Sequence, residues 1–220
     1  MSGTRRRRPG HAVAVTLALL ATGLAGRAAG AQEAWRVDVG RSHLVVHVFA
    51  AGLLSPVLHD HHLVPEQWSG ALTFAPERLP DVGVTVTIAA DSFRDRQPAL
   101  SAEDLTTVEA QVRGPGVLDA ARHPEIVYRA QRLDVQERRS TEGMDGVGGT
   151  LQGQLTLRGR SRPLAVPVVA QWSGDRLRVT GSVSLRQTDF GIEPYRRFLG
   201  TVAVRDEVVV ELTVEAVRGR

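Results

Sequence analysis

Residues 151–185 read LQGQLTLRGRSRPLAVPVVAQWSGDRLRVTGSVSL, and in three parts of this segment apolar residues recur at every second position. Such alternation is typical of β-strands that bury only one face. Two glycine-containing turns separate the three parts, Arg158-Gly159-Arg160 and Ser173-Gly174-Asp175. The second has the composition of a hairpin turn, and the segment therefore predicts three successive strands.

The same alternation occurs in five further segments, which are residues 44–48, 68–74, 82–88, 126–130 and 208–214. The chain is therefore predicted to be all-β, with eight antiparallel strands. A closed or nearly closed barrel suits such a set, because closure removes the exposed edges of a sheet. A β-sandwich of the same strands is the alternative, and periodicity does not separate the two.

Two segments depart from the alternation. Ser101 is suited to cap a short helix that carries Glu103 and Asp104 in its first turn and ends near Arg113, which predicts one helical insertion. Residues 137–149 are polar and rich in glycine, and this composition predicts a mobile loop.

The N-terminus has the order of a secretory signal peptide. Four arginines at positions 5–8 precede a short apolar run over residues 12–26, and Ala29-Gly30-Ala31 provides a small-residue cleavage site. A run of this length, at about 1.5 Å per residue, is too short for the roughly 30 Å hydrocarbon core of a membrane. We expect cleavage after Ala31 and a mature domain of residues 32–220 in the periplasm or otherwise exported, by either the Sec or the twin-arginine route.

Composition excludes several classes of chemistry. The 220 residues include no cysteine and no lysine, which excludes disulfides, thiolate metal sites, Schiff bases and a P-loop lysine. The formal charge of +3 becomes −2 without the five arginines of residues 1–31, because 22 basic residues then face 24 acidic ones. A mature domain of this charge is not expected to bind nucleic acid.

The sequence contains no recognisable catalytic constellation, so an enzyme is not expected. Asp189-Phe190-Gly191 occurs without the glycine-rich loop or strand lysine of a kinase. We expect Phe190 to plug one end of the barrel and Gly191 to make a turn.

An eight-stranded barrel is either filled by its own side chains or holds one small ligand. The candidates for ligand binding are therefore the residues on the apolar faces, together with Phe190. They are Leu44, Val46, Val48, Phe74, Val84, Val86, Ile88, Ile126, Tyr128, Leu155, Leu157, Val166, Val168 and Phe190.

A cluster of histidines is the sharpest local feature of the sequence. In an extended segment His59 and His61 would project from one face, where they could share a divalent metal. A third ligand would have to come from elsewhere, and His47 and His123 are candidates. A solvated polar loop and histidines that fix the shape of the loop by hydrogen bonds are one alternative. Proton transfer by these histidines is another.

Five segments, in order along the chain, resemble the motifs of the YceI-like family of lipocalin-like, polyisoprenoid-binding exported proteins. They are Trp35-Arg36-Val37-Asp38 with Ser42-His43-Leu44, residues 117–126 (VLDAARHPEI), residues 153–159 (GQLTLRG) with Pro163, residues 187–192 (QTDFGI) and residues 204–210 (VRDEVVV). The segment Leu58-His59-Asp60-His61-His62 resembles a branch of the family with a His-Asp-His sequence at this place.

The resemblance implies an eight-stranded lipocalin-like barrel that carries or sequesters a long isoprenoid, such as a polyprenyl quinone or alcohol, and needs no other cofactor. A histidine-centred metal-binding or redox accessory protein of the periplasm is the alternative. A barrel with a filled interior that binds another protein is a third reading. Transient membrane contact and a homodimer are both left open.

Overall fold

The computed structural model describes residues 33–55, 59–141 and 143–219, so the predicted signal peptide of residues 1–31 lies outside the described residues. The described part contains one α-helix, α1 (Ala102–Arg113), and twelve β-strands. The strands are β1 (Glu33–Val37), β2 (His43–Ala51), β3 (His61–Pro65), β4 (Trp68–Phe74), β5 (Asp81–Ala89), β6 (Phe93–Asp95), β7 (Glu125–Thr141), β8 (Met144–Leu157), β9 (Arg160–Ser173), β10 (Arg176–Arg186), β11 (Arg196–Arg197) and β12 (Val202–Arg218).

Eight of these strands close into an antiparallel barrel. Their order is β1-β4-β5-β7-β8-β9-β10-β12, and β12 pairs back onto β1. The predicted all-β fold with a closed eight-stranded barrel is therefore confirmed, and the sandwich is not formed.

A second, smaller set of strands extends one side of the barrel. Strand β1 pairs with the last residues of β12, whereas β2 pairs with the preceding residues, from Ala203 to Thr213. Strands β2, β3 and β6 thereby continue the sheet from β12. A short turn separates β1 from β2, and the Asp38 side chain there accepts a hydrogen bond from the Arg41 N–H.

Alternation positions the core as predicted. Val166 and Val168 on β9 are buried, whereas their neighbour Val169 is exposed. The β9–β10 hairpin turns at the predicted place, where Ser173 pairs with Arg176 and Gly174 has a positive φ of 59°. Burying one face of each strand creates a continuous apolar interior, and this burial is the main stabilising contribution to such a barrel.

The prediction of a loop over residues 137–149 is wrong. Strands β7 and β8 stay paired along this stretch, with Arg139 opposite Gly146 and Glu137 opposite Gly148. The glycines here serve close packing, because a Cβ at Gly149 would lie 2.6 Å from the carbonyl oxygen of Asp134. A glycine-rich composition therefore marked a tight strand pair rather than a loop.

Helix α1 forms where it was predicted. The Ser101 side chain caps it by accepting a hydrogen bond from the Asp104 N–H at 3.1 Å. The helix packs against β6, and Glu109 anchors it there because its Oε1 accepts the Asp95 N–H at 3.2 Å. Within the described part of the chain, no helix has the length and apolar character needed to cross a membrane.

Candidate functional site

The barrel encloses a cavity of about 710 Å³ whose wall is overwhelmingly apolar. Thirteen of the fourteen side chains proposed from the sequence line it. They are Leu44, Val46, Val48, Phe74, Val84, Val86, Ile88, Ile126, Tyr128, Leu155, Leu157, Val166 and Val168. The barrel is therefore not filled by its own side chains. That these residues contact a ligand stays a prediction.

Phe190, the fourteenth candidate, is buried in the hydrophobic cluster at one end of the cavity rather than on its wall. The residue belongs to a short 3₁₀ turn over Gln187–Phe190, which Gly191 ends with a positive φ of 71°. Asp206 on β12 fixes this turn by accepting the backbone N–H of Thr188 at 2.9 Å and its hydroxyl at 2.7 Å. Gly191 thus makes the predicted turn, whereas the role of Phe190 as a plug of the barrel stays a prediction.

Aromatic rings close the opposite end of the cavity. Trp35 and Phe74 stack with centroids 5.2 Å apart, and Trp172 meets Phe74 edge to face at 5.7 Å. The Arg218 guanidinium lies over the ring of Trp35, 5.2 Å from the ring centroid. Leu79 is almost fully buried in the same cluster. The side chains of this cluster that line the cavity, Phe74, Leu79 and Trp172, are aromatic or aliphatic.

Helix α1 lies where the cavity meets solvent. Asp104, Thr107 and Gln111 line the cavity and are also exposed. They follow one another at helical spacing, so a single face of α1 contributes all three. The cavity consequently has a polar rim at the α1 end and an aromatic floor at the other.

Tyr128 lies in the middle of the wall and uses its hydroxyl within the barrel. The hydroxyl lies 3.2 Å from the carbonyl oxygen of Leu151 and 3.3 Å from that of Leu164, so both are within reach of its single hydrogen. Burial raises the pKa of Tyr128 to about 12. The phenol therefore stays neutral and serves as a structural group.

His61 forms a short polar contact at the cavity wall. It lies opposite Val48 on the inner face of β3 and lines the cavity. Its Nδ1 is 2.6 Å from Oδ2 of Asp95, whose side chain is 0% exposed. The other carboxylate oxygen of Asp95 accepts the backbone N–H groups of His62 and Gln97. A buried carboxylate therefore holds the imidazole in one orientation.

The other histidines of the described residues do not join His61 in one cluster. His62 lies opposite His47, and the two rings meet edge to face with centroids 5.1 Å apart. His59 is exposed and outside the strands, and the ring of His123 packs beside Gly159. Among residues 33–55, 59–141 and 143–219, no group of three potential ligands could hold a metal ion. Within the described part of the chain, the proposed His59–His61 metal site therefore has no third ligand.

Two important residues were missed from the sequence, Asp95 and Glu109. Asp95 is 34 positions from His61 and lies in the polar segment Phe93-Arg94-Asp95-Arg96. The one feature of the sequence that could have indicated Asp95 is its spacing of two residues from Phe93, which places both side chains on the buried face of β6. Glu109 resembles any exposed acid of an amphipathic helix, and only the packing of α1 on β6 gives it a role.

Comparison with protein families gives one match. The family model described as the YceI-like domain matches residues 35–216. Among curated proteins, no sequence match is found.

Solved structures share the fold at low sequence identity. BcnA from Burkholderia cenocepacia is 18% identical with a TM-score of 0.58, and the alignment covers 81% of this chain and 98% of that one. A polyisoprenoid-binding domain from Saccharophagus degradans, described as implicated in plant cell wall breakdown, is 12% identical with a TM-score of 0.58 and coverages of 86% and 100%. The YceI protein of Campylobacter jejuni is 14% identical with a TM-score of 0.52 and coverages of 72% and 84%. At these identities the likeness concerns the fold.

Proposed function

This chain belongs to the YceI-like domain family, and from that premise we propose that it carries or sequesters a long apolar ligand of the isoprenoid type inside its barrel. The observation that carries the proposal is the apolar cavity of about 710 Å³, which lies within the usual size range of ligand pockets. The description of the Saccharophagus degradans domain as polyisoprenoid-binding supports the same ligand class.

Hydrophobic transfer alone is sufficient for such binding. Each buried methylene contributes about 0.8 kcal/mol, whereas association costs about 4–15 kcal/mol. A few isoprene units therefore offset the cost without any catalytic group or metal. The same arithmetic predicts little discrimination between hydrocarbon chains of equal length, since apolar contacts carry no direction.

We also propose export, with residues 1–31 removed as a signal peptide. The mature chain would then begin at Gln32, one residue before β1. N-terminal sequencing of protein from the periplasmic fraction should start at Gln32 or within a few residues of it. Recovery of the intact N-terminus from the membrane fraction would contradict this proposal.

Ligand exchange is proposed to occur during transient contact with a membrane. Leu53 and Leu199 are the most exposed large apolar side chains of the described residues, and the Leu54 N–H donates to Thr201 to join their two loops. Arg196 and Arg197 are exposed beside Leu199, and this composition suits an anionic lipid surface.

Sedimentation with vesicles of anionic phospholipid tests the membrane contact. The double variant Leu53→Ser and Leu199→Ser should lose vesicle binding, whereas Val169→Ser, an exposed position on β9, should retain it. Equal sedimentation of both variants would contradict the contact.

Native mass spectrometry of the periplasmic protein tests the carrier function. The wild-type protein should release an apolar molecule of the isoprenoid class on collisional activation. Val84→Trp, which fills the cavity, should lose that mass, and Val169→Trp, which points away from it, should keep it. If neither the bound molecule nor an added prenyl chain is detected on wild-type protein, the carrier function fails and a protein-binding barrel is favoured.

A further inference from the structure

Few polar side chains line the cavity, and one of them is held with unusual precision. His61 lines the cavity wall, and Oδ2 of Asp95 lies 2.6 Å from its Nδ1. Asp95 cannot rotate freely, because its Oδ1 accepts the N–H of His62 at 3.2 Å and of Gln97 at 3.1 Å. The fixed carboxylate therefore selects one orientation and one tautomer of the imidazole.

The tautomer determines what the cavity can recognise. A carboxylate oxygen accepts hydrogen bonds, so Nδ1 of His61 carries the hydrogen that lies between the two groups. In the neutral imidazole the other nitrogen, Nε2, then has a lone pair and no hydrogen. The ring nitrogen left for a ligand is consequently an acceptor.

The charges around the cavity limit the ligand further. Among the described residues that line it, none is an arginine, and the one acid is Asp104 at the rim. A phosphate or carboxylate head group would meet no guanidinium there and would be repelled by Asp104. A neutral group that donates a hydrogen bond fits both His61 and this rim.

We propose that His61, oriented by Asp95, binds the hydroxyl head group of a long-chain alcohol whose hydrocarbon tail extends towards Phe74 and Trp172. The inference rests on the proposed carrier function and assigns the head group and its direction. The hydroxyl donates to Nε2, and the tail occupies the part of the cavity that is lined by Phe74 and Trp172.

Binding of three probes to delipidated full-length mature protein tests the assignment. The probes are geranylgeraniol, the hydrocarbon of the same chain and the methyl ketone of the same chain, and their binding is compared by calorimetry. The alcohol should bind about 5- to 10-fold more tightly than the ketone, because only the alcohol can donate to Nε2.

Two neighbouring residues on β3 give a matched pair of variants. His61→Leu removes the acceptor and should abolish the preference for the alcohol. His62→Leu changes a side chain on the opposite face of the strand and should preserve it. Loss of the preference in both variants would overturn the assignment.

Asp95→Asn tests the tautomer itself and keeps the size of the side chain. The amide oxygen can retain the N–H groups of His62 and Gln97, which turns the amide nitrogen towards Nδ1. Nδ1 then accepts and Nε2 carries the hydrogen. The variant should bind the ketone about 5- to 10-fold more tightly than wild type does, so that the preference for the alcohol disappears.

The outcomes separate this inference from the carrier function. If none of the three probes binds to wild-type protein, the carrier function fails, and the head-group assignment fails with it. If the probes bind with equal affinity, or the ketone binds best, only the assignment to His61 is overturned. Unchanged selectivity in Asp95→Asn would also overturn it.

Discussion

The ring of Tyr128 on β7 occupies the space that a side chain at Gly153 on β8 would need. A Cβ at position 153 would lie 2.5 Å from Cζ of Tyr128 and 2.6 Å from the carbonyl oxygen of Arg129. The missing side chain lets the phenol lie across the neighbouring strand and reach the carbonyl oxygens of Leu151 and Leu164. Glycine at 153 thus shapes the middle of the cavity wall.

Gly153→Ala should therefore destabilise the barrel. The backbone oxygen of Arg129 cannot move without breaking strand pairing, so the free energy of unfolding should fall by about 1–3 kcal/mol. For a domain of this size the melting temperature should drop by about 2–4 °C per kcal/mol. Gly116→Ala is the control, because no atom lies within 4 Å of its Cβ. Equal melting temperatures in the two variants would contradict this account.

The barrel was predictable from the sequence for a physical reason. Each barrel strand buries one face, so burial imposes a period of two on the apolar residues, as in Val166 and Val168. The pairing of β7 with β8 over 137–149 was not predictable in this way. The glycines of this stretch have no side chains, so they cannot show the two-residue alternation of a strand. A glycine-rich sequence is equally compatible with a loop and with two closely packed strands.

The polar part of the site was less predictable than its apolar wall. Alternation placed thirteen side chains on the cavity, because orientation within a strand is a local property. The pairing of His61 with Asp95 depends on β3 lying beside β6, which is a property of the whole fold. The histidine cluster indicated the correct segment of the sequence. Its partner Asp95 could be identified only from the three-dimensional structure.

Adjacent valines on β9 provide a test of orientation. Val168 is 6% exposed and lines the cavity, whereas Val169 is 40% exposed. Val168→Glu should cost more than about 3 kcal/mol or prevent folding, because it places a charge in an apolar interior. Val169→Glu should change the free energy of unfolding by less than about 1 kcal/mol. Urea denaturation distinguishes the two, and a similar cost for both would mean that the assigned strand faces are wrong.

The free energy of unfolding should depend on pH in part through the ionisation of Asp206. Burial opposes its ionisation, but hydrogen bonds from Thr188 and Arg186 outweigh that effect and lower the pKa of Asp206 from the ordinary value of 3.8. Because the pKa of Asp206 is lower in the folded state than in the unfolded state, its ionised carboxylate stabilises the fold at pH values above the unfolded-state pKa. This contribution to the free energy of unfolding is lost as the pH falls towards the folded-state pKa.

The measurement compares melting temperatures of wild type and Asp206→Asn at pH 7 and in acid. At pH 7 the variant should melt about 2–4 °C lower, which corresponds to about 1 kcal/mol. Below the ordinary pKa of 3.8 the difference should shrink. A difference that is constant or grows in acid would show that Asp206 does not act through its charge.

The last prediction concerns Glu109, which ties α1 to the barrel. Its carboxylate accepts the Asp95 N–H at 3.2 Å and lies 3.7 Å from Arg94 and 3.9 Å from Arg113. Because α1 lines the cavity where it meets solvent, loosening this anchor should let a bound chain leave more easily. Glu109→Ala should raise the dissociation rate of a fluorescent prenyl probe about 5- to 10-fold, since losing a hydrogen bond to a charged group costs about 1.5–3 kcal/mol, part of it offset by water. Stopped-flow displacement measures that rate directly.

Glu109→Gln is the matched control. It retains an oxygen that can accept the Asp95 N–H and should release the probe at an intermediate rate. The barrel strands do not depend on this contact, so both variants should keep the wild-type circular dichroism. If Glu109→Ala releases the probe no faster than wild type while binding it equally well, α1 does not control access to the cavity.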